Sequence, residues 1–268
     1  MKLMPAILKN TDRVLNACST WIKQKKDMVN YIKEATNKLA RKYEVKDDSE
    51  YNLLPGWQFL DKKLNNKDIP LLSWRHNRKF TELKKIVSDE VVENVSMLRF
   101  CSLGDPKIWS LNALMYREFD LCEFITGSRI AYLHATLSHG LAGNIIVKLE
   151  NGTIGSVEIG VQAPAGKPLI ERHEIIARRG VASDIVVDTQ VPQSSIYAFT
   201  ENGDMGYKDV DNELFGMDEF QVEWVRAAFQ HLKDPTQSEN LIKQHNHLSR
   251  LVESALKSNF NKLKVKVE

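Results

Sequence analysis

The chain has 268 residues, 43% of them hydrophobic and 27% charged. Those proportions belong to a globular protein that buries a core and exclude a disordered chain. A formal net charge of +2 is too small to demand a nucleic-acid partner.

Cys18, Cys101 and Cys122 are widely spaced and form no CxxC pair. They suit reduced thiols in a cytoplasmic protein better than a disulfide framework or a zinc site. Met1 to Arg13 lacks the apolar core and cleavage site of a signal peptide, and no apolar run approaches the roughly 18 residues that span a bilayer. The expectation is a cytoplasmic protein without membrane association.

Residues 12 to 43 have a helical pattern. Thr11 or Asp12 can cap it, and Val14, Cys18, Trp21, Met28, Ile32, Ala35 and Leu39 recur three and four apart in a stripe that Lys25 interrupts. A polar, turn-like stretch from Glu44 to Pro55 then marks a boundary. The predicted organisation is a helical segment over 1–56 and a second region over 57–268.

That second region opens with a short predicted helix, Trp57 to Leu64, and a buried strand, Ile69 to Trp74. Thr81 to Ser88 is expected to be helical, Val91 to Leu103 a long strand, and 110–126 a helix ending at Gly127. Glycine tolerates the left-handed conformation that follows a helix.

From there the period changes to that of strands. Apolar runs at Ile130–Leu137, Asn144–Leu149, Ile154–Val161, Leu169–Ala177, Ser183–Asp188 and Ile196–Phe199 are punctuated by Asn151-Gly152, Pro164-Ala165-Gly166, Arg179-Gly180 and Asn202-Gly203. Asn-Gly between apolar runs predicts a type I′ hairpin. Two amphipathic helices, Asp218–Leu232 and Ser238–Leu256, and a half-exposed edge strand, Lys262–Val267, close the chain. The fold class is α+β: a mainly antiparallel open sheet covered by helices on one face, preceded by a helical N-terminal segment.

Three ordered stretches resemble the C-terminal domain of the glucose–fructose oxidoreductase/inositol dehydrogenase/MocA (Gfo/Idh/MocA) family. One is Ile69-Pro-Leu-Leu-Ser-Trp-Arg-His-Asn-Arg-Lys-Phe80 with the helix and strand after it, similar to the last strand of that family's nucleotide domain and its Arg-x-Phe loop. Another is Arg117-Glu-Phe-Asp-Leu-Cys-Glu-Phe-Ile-Thr-Gly127, similar to its His-Asp-x-Asp-Leu helix. The last is the tail: Phe220 to His231, Asp234-Pro235, and the helix ending Leu251-Val-Glu-Ser-Ala-Leu-Lys-Ser258. The resemblance spans about residues 57 to 268.

It implies a sheet domain that binds a sugar or polyol beside a Rossmann domain for NAD(P), and a sheet face that packs on another subunit. The departures matter more. A dinucleotide site needs a glycine loop between strand and helix, where backbone N–H groups and the helix dipole meet the pyrophosphate. No GxGxxG occurs, and the first glycine is Gly56. The family's Glu-Lys-Pro is missing, because Lys167-Pro168 follows Gly166 in a sheet turn. Alignment on Asp120 puts Arg117 where the family's catalytic histidine stands and Ala113 where a second Asp often lies. Arginine stays protonated and cannot shuttle a proton.

No catalytic residue, cofactor-binding residue or metal ligand is therefore expected. His245 and His247, two apart on a helix, are not the i, i+4 pair of a helical zinc site, and the histidines are expected at the surface or half buried. The candidate substrate-binding residues are Trp74, Arg75, Arg78, Arg117 and Asp120. With His76 they could form a basic, aromatic cleft for a sugar or anionic small molecule, since guanidinium groups pair well with carboxylate or phosphate. The competing expectation puts Trp74 in the core and pairs Arg75 and Arg78 with acidic neighbours.

The leading expectation is a non-catalytic or catalytically degenerate oxidoreductase-like protein, a pseudoenzyme that uses its sheet for ligand binding or subunit assembly. It would form a homo-oligomer through the sheet face, or a hetero-oligomer with a full-length family member. The alternative is the substrate half of a split oxidoreductase, with NAD or NADP held by a Rossmann domain on a separate chain.

Overall fold

The computed structural model describes residues 52–184, 195–200, 203–208 and 219–267. The helix expected over 12–43 lies outside these residues, as does 185–188 of the strand expected at Ser183–Asp188. Contacts divide the chain into two units, Met1–Asn77 with Val210–Ile242 and Arg78–Asp209 with Lys243–Glu268.

In the first unit, β1 (Asn52–Pro55) pairs in parallel with β2 (Asp68–Leu71), Asn52 opposite Asp68 and Pro55 opposite Leu71. A parallel pair needs a crossover of about a dozen residues or more, and the stretch from Gly56 to Lys67 is near that minimum. Helix α3 (Glu219–Lys233) covers the pair. Ala227 and Ala228 meet Leu53, Ile69 and Leu71, with Trp224, Val225, Phe229, Leu232 and Leu241 around them.

Two local expectations are corrected here. The predicted helix at 57–64 is only a 3-10 turn, Gly56–Phe59. Only Gly56 and Phe59 of that turn are buried, and Asp61, Lys62 and Lys63 are exposed, so no second apolar turn exists to sustain a helix. The predicted strand at 69–74 stops at Leu71. Backbone bonds from Arg75 N–H to Leu72 O (3.1 Å) and from Asn77 N–H to Trp74 O (3.0 Å) close a 3-10 turn over Ser73–His76.

The second unit is built on a nine-stranded sheet. Its strands are β3 (Val95–Leu103), β4 (Ile130–Ser138), β5 (Ala142–Leu149), β6 (Ile154–Gly160), β7 (Ile170–Ala177), β8 (Gly180–Ser183), β9 (Ser195–Thr200), β10 (Gly203–Lys208) and β11 (Val265–Lys266). They run in the order β10-β9-β8-β7-β3-β6-β5-β4-β11. Among the described strands of this sheet only β3 and β6 pair in parallel, so the sheet is mainly antiparallel, as expected. β11 forms one edge, also as expected.

Alternation sends Leu98, Phe100, Ile145, Val147, Val157 and Ile175 into the core, while Met97, Arg99, Ile146, Ile154 and Glu158 stay on the exposed face. Helix α2 (Leu111–Thr126) packs on β3 to β6, and α1 (Arg78–Ser88) packs on α2. Among the described residues no helix covers the other face.

Helix α2 starts where Ser110 Oγ accepts from Ala113 N–H (3.1 Å) and ends at Gly127 (φ 67°), confirming the predicted stop. It buries residues on every side, Arg117, Glu118, Asp120 and Glu123 included. Helix α4 (Ser238–Asn261) continues five residues past its predicted end at Leu256. It then serves the edge: β11 bonds β4 only opposite Tyr132 and Leu133. Beyond that, Ala135 N–H donates to Ser258 Oγ (3.0 Å) and Leu137 N–H to Asn259 Oδ1 (2.9 Å), so these edge donors are satisfied by side chains.

Candidate functional site

The second unit holds six charged side chains in one buried cluster. Lys79 comes from α1, Arg117 and Glu118 from α2, Glu171 and His173 from β7, and Asp184 from the residue after β8. The period of β7 explains two of them: Glu171 and His173 are in phase with inward Ile175, whereas Arg172 and Glu174 lie on the other phase. Glu118 is forced inward because α2 is buried all round.

His173 has no exposed surface. Its Nδ1 lies 2.6 Å from Asp184 Oδ2 and its Nε2 lies 3.0 Å from Glu118 Oε2. Its backbone N–H donates to Asp184 Oδ1 (2.6 Å). Arg117 bridges Glu118 (Nη1 to Oε1, 2.6 Å) and Glu171 (Nη2 to Oε2, 2.6 Å). Lys79 pairs with Glu171 and stands 3.8 Å from Asp184. Ser102 Oγ–H donates to Glu118 Oε1 (2.7 Å). Phe80 and Phe100 meet the His173 ring edge-on, each with centroids 4.8 Å apart. The Arg117 guanidinium and the Lys79 ammonium also lie over Phe80.

Burial disfavours charge on His173, but Asp184 and Glu118 outweigh it and lift its pKa to about 9. Burial likewise works against the Glu118 and Glu171 carboxylates. His173 and Arg117 hold Glu118 below the usual range. Arg117, Lys79 and His173 hold Glu171 well below it. Among the described residues the cluster thus sets Lys79, Arg117 and His173 against Glu118, Glu171 and Asp184, the kind of pairing that buried charge requires.

Glu171, His173 and Asp184 each place a potential metal-ligand atom within 4.8 Å of the others. As an imidazolium, however, His173 donates from both ring nitrogens and offers no lone pair, and two cations already flank the carboxylates. The arrangement fits internal ion pairing better than a divalent cation. With its pKa raised to about 9, His173 itself is protonated near neutral pH and does not act as a base there.

The predicted binding residues fall in different surroundings. Trp74, fully buried, stacks on Trp57 in the first unit (centroids 5.4 Å, planes at 18°), and half-buried Arg75 sits in the 3-10 turn after β2. In the second unit Arg78 is exposed at the start of α1, Arg117 belongs to the charge cluster, and buried Asp120 accepts from Gln244 Nε2 (3.0 Å). Ala113 is buried in the first turn of α2, and Lys167 lies in the turn before β7, as expected.

Lys79, Glu118, Glu171, His173 and Asp184 were not singled out as candidate site residues. Polar residues in phase with Ile175 were a usable signal for two of them. The expectation that the histidines are surface or half buried is overturned at His173, His231 and His245, all buried. His245 Nδ1 meets Tyr116 Oη at 3.0 Å, and burial lowers its pKa.

A sheet of this order, with α2 and its Gly127 stop leading into β4, is shared with solved structures of Gfo/Idh/MocA-type oxidoreductases. No family model matches the chain, and no curated protein matches it in sequence. Solved structures do. An oxidoreductase from Pseudomonas syringae is 12% identical with a TM-score of 0.59, over 75% of this chain and 64% of the other. An oxidoreductase from Agrobacterium radiobacter, in complex with NAD+, L-tartaric acid and magnesium, is 15% identical with a TM-score of 0.56, over 75% and 65%. A super-repressor mutant of Gal80p from Saccharomyces cerevisiae is 13% identical with a TM-score of 0.57, over 74% and 64%. The chain thus spans about two thirds of the length of these structures, and what it shares with them is the fold.

Proposed function

We propose that this is a catalytically degenerate, oxidoreductase-like protein whose sheet serves ligand binding or subunit assembly. The observation that carries the proposal is Arg117. It stands where the resemblance puts a catalytic histidine, and its guanidinium bridges Glu118 and Glu171 inside the protein. A permanent cation held in this way neither takes nor gives a proton. One structure with a similar fold is described as a super-repressor mutant of Gal80p, which fits a use of the fold other than catalysis.

Assembly is supported by the outer sheet face. Met97, Ile154, Ile146, Leu103 and Ile170 are large apolar side chains at 37–49% exposure. Between them lie Arg99, Arg172 and Glu158, of both signs, a pattern a second copy can match. Calorimetric titration of the full chain with NAD(H) and NADP(H) tests the degenerate reading. No binding in the micromolar range is expected, and micromolar binding would overturn it.

One observation favours the split-enzyme alternative: β1 and β2 pair in parallel, the strand arrangement of nucleotide-binding sheets. In that case a separate glycine-loop chain would restore NAD(P) binding when mixed with this one.

A further inference from the structure

The last turn of α4 and the strand after it leave an apolar tip in water. Phe260 is 86% exposed, Leu263 65% and Leu256 41%. Residues 256 and 260 are neighbours on a helix face. Lys262 then takes the left-handed conformation (φ 57°), and Leu263 N–H bonds back to Ser258 O (3.3 Å), which folds Leu263 over the helix end.

The same stretch is basic. From residue 250 to 268 it carries Arg250, Lys257, Lys262, Lys264 and Lys266 against Glu253 and Glu268, although the whole chain is nearly neutral. Lys262 Nζ donates to Asn259 Oδ1 (3.2 Å), and Lys264 lies over the Tyr132 ring at 4.1 Å. Tyr132 pairs across the sheet with Lys266 and Lys148, which extends the positive surface. Among the described residues no carboxylate lies within ion-pairing distance of these ammonium groups.

We propose that this tip, Leu256–Lys266, is a peripheral anchor for an anionic lipid surface. Charge complementarity selects an anionic partner, and size and chemistry select among anions. Three side chains expose a few hundred Å² at most, well short of the roughly 800 Å² per partner in a specific protein interface. A polyanion such as nucleic acid needs the lysines but not an exposed Phe beside them. A lipid interface needs no shaped counterpart: it takes the apolar tip between headgroups while the lysines meet the negative charge. The sequence expectation of no membrane association rested on the lack of a spanning segment, and this anchor requires none.

Sedimentation of the full-length protein with vesicles tests it. Phosphatidylcholine vesicles containing about 30% phosphatidylserine are expected to carry the protein down, phosphatidylcholine alone is not, and added salt releases it. The double substitution F260S/L263S should weaken binding roughly tenfold or more, and K262E/K264E should do the same. Thermal midpoints are expected to stay unchanged, because these side chains are exposed. Failure to bind the anionic vesicles overturns the proposal. So does equal binding by F260S/L263S, which marks adsorption by charge alone, or a change of oligomeric state in that variant, which marks the tip as a contact between copies.

Discussion

At Arg117 and His173 the energetics differ from those of a surface ion pair. Exposed pairs contribute about 0–1 kcal/mol, but removing one member of a buried pair costs about 3–5 kcal/mol because its partner keeps an uncompensated charge. Arg117→Met is therefore expected to lower stability by about that amount, read as a urea midpoint. The pH dependence follows from the sign of each shift. His173 is raised to about 9, so its stabilising contribution is complete below its ordinary value near 6.5 and disappears as pH rises through about 9. Glu118 and Glu171 are lowered. Theirs is present above the ordinary carboxylate range and is lost as pH falls through their depressed pKa values. Urea midpoints should plateau near neutral pH and fall on the alkaline side, and His173→Gln should flatten the alkaline limb.

This cluster was only half legible in the sequence. The anomaly at Arg117 was visible by comparison with the family helix, but apart from neighbouring Glu118 its ion-pair partner Glu171 lies 54 residues away on β7, and Phe80 beneath it lies on α1. One chain does not display pairing across such distances. What it displays is periodicity, and in β7 that places Glu171 and His173 inward.

Turn chemistry shows where local rules succeed and where neighbours override them. A type I′ turn was expected at Asn151-Gly152. There only Gly152 has positive φ (91°), and Leu149 N–H bonds Thr153 O (2.9 Å), the geometry of a three-residue loop with a glycine bulge. Ser128 Oγ accepts from Asn151 N–H (3.1 Å) and holds that turn from outside. The true type I′ pair is His139-Gly140, with φ 50° and 68°, a dipeptide with a weaker signal.

Helix ends follow the same logic. The end of α2 was legible through Gly127, while that of α4 was missed because a lysine, Lys262, takes the left-handed position. Glu90 occupies it after α1 (φ 54°), with Val91 N–H bonded to Ile86 O (3.0 Å). Glu90→Gly should relieve that backbone and raise stability by about 0.5–1 kcal/mol in a thermal melt. Gly155 on β6 has the opposite requirement: a Cβ there would come within 2.6 Å of Val147 Cγ2. Gly155→Ala is expected to cost about 1–3 kcal/mol through overpacking beneath α2.

Across the second unit the order β3, α2, then antiparallel strands was readable because polarity alternates strand by strand. Strand neighbours were not, since the parallel β3–β6 contact and the β7–β3 pairing join distant segments. The outer face makes a prediction at this scale. Ile146→Lys with Ile154→Lys should shift the protein to a smaller species in light scattering after gel filtration while leaving its melting temperature nearly unchanged, since both side chains are more than two-fifths exposed.

The balanced set of Lys79, Arg117, His173, Glu118, Glu171 and Asp184 also constrains how this chain can change. A histidine placed at 117 would remove the permanent cation that pairs with Glu171 and Glu118, so that exchange would be made at a loss of stability. Restoring neutrality would require at least a second exchange in the same cluster, such as Glu171→Gln, and the two changes would be far from additive. Each charge in the cluster, once matched, makes its neighbours costly to exchange one at a time.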